Sequence, residues 1–285
     1  MNFQAATVLR SLSLAAVAIG CATSVQATVL ASDDFTNPSY ITGTSWPADN
    51  IIGQDALGYG FTGKWSLDGI YQGITITSPG VLGRPHNNGN NAGALADFAS
   101  PIVLSSGQLF VSYTIDSASA LNGSRIDLNN GSSGSLRASI GTQNTLGGPF
   151  AIDTGAGIGG AIGLSTVATA GQHTIVGVLD YTNDKVALFV DPTAGSYYGA
   201  NGANDATVTA AWTPGGPVTF TGLAIVDNYS DTPTWGNIVV ATSATDVGIS
   251  GGVPEPATWA LMLLGVGAVG GMTRRRRSEA PALAA

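Results

Sequence analysis

The stretch His173-Thr174-Ile175-Val176-Gly177-Val178-Leu179-Asp180, then Tyr181-Thr182-Asn183-Asp184, then Lys185-Val186-Ala187-Leu188-Phe189-Val190, decides the fold class. Two runs rich in β-branched and aromatic residues flank four polar residues, the pattern of two antiparallel strands joined by a short loop. Upstream, Leu109, Val111, Tyr113 and Ile115 alternate with Phe110, Ser112, Thr114 and Asp116. That period of two marks a half-buried strand and does not fit helical spacing. The same reading places strands at residues 74–78, 124–128, 135–140, 207–212, 218–226 and 236–242. The body carries no long amphipathic helix and no internal repeat, which argues against α/β folds and solenoids. The expectation is an all-β fold, an antiparallel two-sheet β-sandwich, with an N-terminal signal helix and a C-terminal transmembrane helix outside it.

The two ends read differently from the body. Arg10 precedes an apolar stretch from Leu12 to Ile19, and Val25-Gln26-Ala27 supplies the small residues of a signal-peptidase site, so cleavage is expected after Ala27. Cys21 follows Ala18-Ile19-Gly20, which is faintly similar to a lipoprotein acylation site, although Ala18 departs from the usual leucine. Unless it is lipidated, Cys21 leaves with the signal, and the mature body has no cysteine and rests on its core alone. At the other end, Val253-Pro254-Glu255-Pro256-Ala257-Thr258-Trp259 opens an apolar run that reaches Met272, and Arg274, Arg275, Arg276 and Arg277 follow. As a helix the run covers roughly 24 Å, short of a hydrocarbon core of about 30 Å, so it is a marginal span. Four arginines are costly to translocate; they stay in the cytoplasm and leave everything before Pro254 on the other side.

In that order, the Pro254-Glu255-Pro256 triplet, the short apolar helix and the terminal arginine cluster resemble a PEP-CTERM sorting signal. The resemblance implies recognition by exosortase, a membrane protease-transpeptidase of Gram-negative bacteria that make extracellular polysaccharide. Cleavage near the triplet would take an inner-membrane anchored precursor to the cell surface or extracellular matrix. An ordinary membrane anchor is the alternative, and it too places the body outside. The expected division is a signal peptide at 1–27, a β-sandwich domain at 28–250 and the sorting signal at 251–285. Within the body, the segment His173 to Asp180, the run Val186 to Pro192 and the late Trp235-Gly236-Asn237-Ile238-Val239-Val240-Ala241 resemble the closing half of concanavalin-like (laminin-G-like) jelly rolls. An unrelated β-sandwich is the runner-up.

Residues 28–252 hold 16 Asp, no Glu, two Lys and three Arg, so five cations against 16 anions leave a net charge of −11. A nucleic-acid partner is thereby disfavoured. Jelly-roll glucanases that resemble this fold carry two glutamates and an aspartate on one strand, because retaining hydrolysis needs carboxyl groups about 5 Å apart. A body without glutamate points away from that chemistry. Asp116 with Asp127, or Asp180 with Asp191, are the aspartate pairs open to a secreted carbohydrate-active enzyme, while turn chemistry explains the same residues more simply. His86 and His173 are too few for a three-histidine zinc site, and no Gly-x-Ser-x-Gly elbow supports a triad on His173. Gly155-Ala156-Gly157-Ile158-Gly159-Gly160 matches the dinucleotide fingerprint by its letters only, since no helix follows it.

Binding of sugar is the sharper expectation. Trp46, Trp65, Trp235, Tyr59, Tyr71, Tyr197 and Tyr198 include several rings beside Gly, Pro or Ser, and an exposed ring stacks on a sugar face while Asn or Asp bonds its hydroxyls. Trp46, Trp235, Tyr197 and Tyr198 are the carbohydrate-binding candidates, with the loop His86-Asn87-Asn88-Gly89-Asn90-Asn91 as a further source of polar groups. The competing reading is that these rings plug the sandwich. Asp127 and Asn129 in Asp127-Leu128-Asn129-Asn130-Gly131 are the weak candidates for a structural calcium, without the closing glutamate of an EF-hand loop; otherwise no cofactor is expected. Catalytic residues are not assigned. The function expected is that of an exported, non-catalytic structural or adhesive protein, with extracellular polysaccharide as a candidate ligand, a secreted carbohydrate-active enzyme using aspartates as the alternative, and exosortase and signal peptidase as processing partners.

Overall fold

The computed structural model describes residues 29–43, 50–67, 73–84, 92–130, 136–143, 148–228 and 232–251. Fifteen strands run through them: β1 (Val29–Asp33), β2 (Phe61–Ser66), β3 (Thr75–Ser78), β4 (Val81–Gly83), β5 (Ala92–Leu104), β6 (Gln108–Ser117), β7 (Ser124–Asn129), β8 (Leu136–Thr142), β9 (Phe150–Thr154), β10 (Ile162–Leu164), β11 (Gly171–Asp180), β12 (Lys185–Val190), β13 (Val208–Ala211), β14 (Val218–Asp227) and β15 (Thr234–Ala241). They form an eight-stranded sheet, ordered β13-β12-β11-β6-β15-β4-β3 with β1 also on β15, and a seven-stranded sheet, ordered β10-β9-β8-β7-β14-β5-β2. Strand pairing within both sheets is antiparallel.

The hairpin at 173–190 forms as expected. Asp180 stands opposite Lys185 across the four-residue loop, and Asp180 accepts the Asn183 N–H at 3.0 Å to close it. Leu109, Val111, Tyr113 and Ile115 of β6 point into the main core between the sheets. The half-buried expectation for β6 needs correction, because Phe110 on its other face is also fully buried. Phe110 packs with Val176, Val178, Ala187, Phe189 and Tyr198 in a second apolar cluster that Val247 and Ile249 help cover. Gly177, in the middle of β11, lets the other sheet approach closely. A Cβ there would sit 2.7 Å from the Ile140 side chain of β8.

β1, β2, β4, β5, β9 and β10 were not expected. β5 is the instructive case, a 13-residue strand that contains Pro101. Proline removes a ladder donor and is tolerated at a bulge, and the pairing of β5 with β14 shifts register between Phe220 and Gly222. The segment 155–160 is no nucleotide loop: Ala156–Ile158 is a single 3-10 turn linking the antiparallel strands β9 and β10. The expected signal helix and membrane helix fall on residues outside those described. Among the described residues no helix is long and apolar enough to cross a membrane.

Candidate functional site

Alternation along β7 decides what the seven-stranded sheet presents on its outer face. Ile126 and Leu128 enter the core, so Arg125, Asp127 and Asn129 share the opposite face. Asp127 faces Ala224 of β14 on one side and Ser139 of β8 on the other, and Ser139 faces Asp153 of β9. Arg125 Nε donates to both oxygens of Asp127, at 3.0 and 3.1 Å. Ser139 Oγ donates to the same carboxylate at 2.7 Å. Asn129 is buried and its Nδ2 has no hydrogen-bond partner. On the far side of Gly222, Asp97 of β5 is exposed. The result is a polar strip in which charge is internally matched and an amide donor is left unsatisfied.

Burial raises the Asp127 pKa above the carboxylate range, opposed by Arg125 and the Ser139 hydroxyl. Asp153 is raised too, by burial first and then by the Asp127 charge. Asp33, on β1, is raised by burial against the hydrogen bonds from Tyr40 and Phe35. A carboxyl raised in the folded state contributes stability that is full below the unfolded value of 3.8 and is lost as pH rises through the folded value. Asp34 is held low by its Thr36 hydrogen bonds, so its contribution is lost only as pH falls below that range. The thermal midpoint should therefore climb as pH is lowered from neutrality toward mild acid, and Asp127→Asn should flatten the climb. A midpoint that falls steadily over that interval would contradict these assignments.

Of the sequence candidates, Trp235 is 1% exposed and lies in the main core. Tyr198 is also 1% exposed; it meets Phe110 edge-on at 6.0 Å and donates to Asp180 Oδ2 at 3.0 Å. Neither presents a ring to a sugar, which corrects the expectation: β15 and the segment after β12 turn these rings inward. Tyr197 is half-buried with its N–H bonded to Asp205 at 2.8 Å, and Trp46 and the 86–91 loop lie outside the described residues. The calcium candidate Asp127 gives both oxygens to Arg125, whose guanidinium supplies the positive charge a cation would bring.

The aspartate pairs do not converge. Asp116 is on the eight-stranded sheet and Asp127 on the outer face of the other. Asp180 is fully buried at the hairpin loop, whereas Asp191 follows the far end of β12 and holds His173 Nδ1 at 2.7 Å. His173 also packs edge-on against Phe150, a structural role. On β7 a guanidinium and an amide, not a second carboxylate, share the face of Asp127. Arg125 and Ser139 were missed because their meeting depends on strand register, not on spacing within one segment.

Residues 252–277, beyond the described residues, match the PEP-CTERM protein-sorting motif. The tail is a PEP-CTERM sorting motif. It implies an exported, membrane-anchored precursor sorted to the cell surface. The sandwich of this chain is similar in fold to the T. cruzi calreticulin globular domain, with a TM-score of 0.51 at 11% identity over 77% of this chain and 90% of that one. Lectin UEA-II complexed with galactose aligns at a TM-score of 0.41 and 9% identity, over 67% of this chain and 95% of the lectin. A glycosyl hydrolase family 16 protein from Mycobacterium smegmatis aligns at 0.39 and 12%, over 75% of this chain and 100% of that one. No curated protein sequence matches this chain.

Proposed function

We propose that the protein is a non-catalytic surface protein, released by an exosortase, whose sandwich holds extracellular polysaccharide on the outer face of its seven-stranded sheet. The observation that carries the binding reading is the polar strip across that face, with Arg125, Asp127, Ser139 and Asn129 in register and the exposed Asp97 at its far side. The strip also fits binding better than hydrolysis, since Asp127 is committed to Arg125 and Ser139. Asp153 lies two strands away from it, across β8, roughly 10 Å at the backbone.

The test incubates the mature protein, recovered from outside the cells, with the producer's own polysaccharide. Retention without new reducing ends is the expected result, and Asp97→Ala weakens retention without unfolding the chain, because the side chain is exposed. Release of reducing ends would favour a carbohydrate-active enzyme using aspartates, and absence of retention would end the binding reading.

A further inference from the structure

We infer that the protein carries a second glycan site, on the opposite side of the sandwich, built around Tyr59 and selective for sugars without anionic substituents. The inference rests on the polysaccharide-holding reading above and adds where and what a second chain of sugar is gripped. Tyr59 is 66% exposed and Leu57 beside it 36% exposed, in a protein whose described tryptophans are all buried. The backbone under this ring is fixed. Ser32 of β1 donates its N–H to the Tyr59 carbonyl at 2.8 Å. Glycines flank the tyrosine because β1 runs immediately alongside. A Cβ at Gly58 would lie 2.5 Å from the Ser32 carbonyl oxygen, and one at Gly60, at φ +74°, would lie 2.0 Å from that of Leu30. Two glycines thus hold the segment flat against β1 and leave the ring facing outward.

Tyr59 borders a cavity of about 490 Å³ that Asp34, Asn37, Asn237 and Asp246 also line. That volume falls within the range of small-molecule sites, about 300–1,000 Å³. Asn237 and Val239 lie on β15, and Val239 packs toward the second apolar cluster, so the cavity opens on the outer side of the eight-stranded sheet. Asp246 lines this cavity with its Oδ2 shielded and without a hydrogen-bond partner. An apolar ring beside carboxylate and amide acceptors is the chemistry that recognises a pyranose, whose C–H face stacks while its hydroxyls donate. The lining aspartates and the −11 charge of the body repel uronate or sulfated chains. The ligand class is therefore a neutral or amino-sugar glycan. With sites on opposite faces, one molecule bridges two polysaccharide strands, and the effective concentration at the second site strengthens retention.

Titration of the mature protein with laminarin, chitosan and alginate oligosaccharides, followed by calorimetry, tests the site. Laminarin or chitosan oligosaccharide should bind with a stoichiometry of about two per chain, and alginate should not bind at the Tyr59 cavity. Tyr59→Ala should weaken one site by about tenfold or more, the loss of an aromatic anchor, with an unchanged thermal midpoint because the ring is exposed. Tyr59→Phe should retain binding. Unchanged binding and stoichiometry in Tyr59→Ala would overturn the second site and leave the polysaccharide-holding reading intact. Absence of laminarin and chitosan binding by the unsubstituted protein would overturn the second site, while loss of retention of the producer's own polysaccharide is what would end the underlying reading.

Discussion

Asp227→Ala lowers the free energy of unfolding by about 3–5 kcal/mol, the loss expected when one member of a buried ion pair is removed. The side chains of Arg84 and Asp227 are 1% and 0% exposed, and Arg84 Nη1 reaches Asp227 Oδ2 at 2.8 Å. Arg84 directly follows β4 of the eight-stranded sheet, and Asp227 ends β14 of the seven-stranded one, so the pair ties the sheets together at one end. Ser124 Oγ donates to the second carboxylate oxygen at 2.7 Å. Removing the carboxylate leaves a guanidinium in the interior with its main counter-charge gone. The double substitution Arg84→Met with Asp227→Leu should recover most of the loss, since apolar groups of similar volume commonly replace buried pairs at little cost. Urea unfolding of the mature protein, followed by tryptophan fluorescence, measures both. A loss of less than about 1 kcal/mol for Asp227→Ala would show that the pair does not join the sheets.

Trp235→Ala also destabilises by about 3–5 kcal/mol, through the cavity left in the main core. It leaves polysaccharide retention per folded molecule unchanged. Trp235 packs between the sheets with no partner for its indole N–H. Trp235→Phe should cost less than the alanine change because it removes volume and an unsatisfied donor together. Retention assayed on the folded fraction separates the roles: a binding defect without a stability defect would return Trp235 to the sugar site.

Trp235 and Tyr59 also explain how far the chain could be read directly. Both rings stand beside glycine, and the local sequence treats them alike. At Trp235 the neighbouring Gly236 lets Gly80 approach, with a Cβ there 2.9 Å from the Gly80 carbonyl oxygen, and the ring turns inward. At Tyr59 the flanking glycines admit β1 and the ring turns outward. Glycine signalled close backbone approach in both places, but the direction of the ring followed from the partner strand. The hairpin at 173–190 and the strands β6 and β14 were legible because their apolar β-branched and aromatic runs carry their own period, and β7 because Ile126 and Leu128 alternate with polar residues. β5 was not, since its Ala and Gly residues and Pro101 hide the alternation until β14 supplies the ladder. The polar face of β7 followed from period two alone, whereas the bond from Ser139 to Asp127 needed the register of a second strand. The buried pair Arg84–Asp227 joins residues 143 positions apart and has no local signature.

The intact mass of the protein recovered from outside the producing cells bears most directly on delivery of this sandwich to the surface. The account predicts a chain that begins after Ala27 and has lost Arg274, Arg275, Arg276 and Arg277 by cleavage near Pro254-Glu255-Pro256, with the full tail retained when the exosortase is disrupted. A released protein that still carries all four arginines would contradict it.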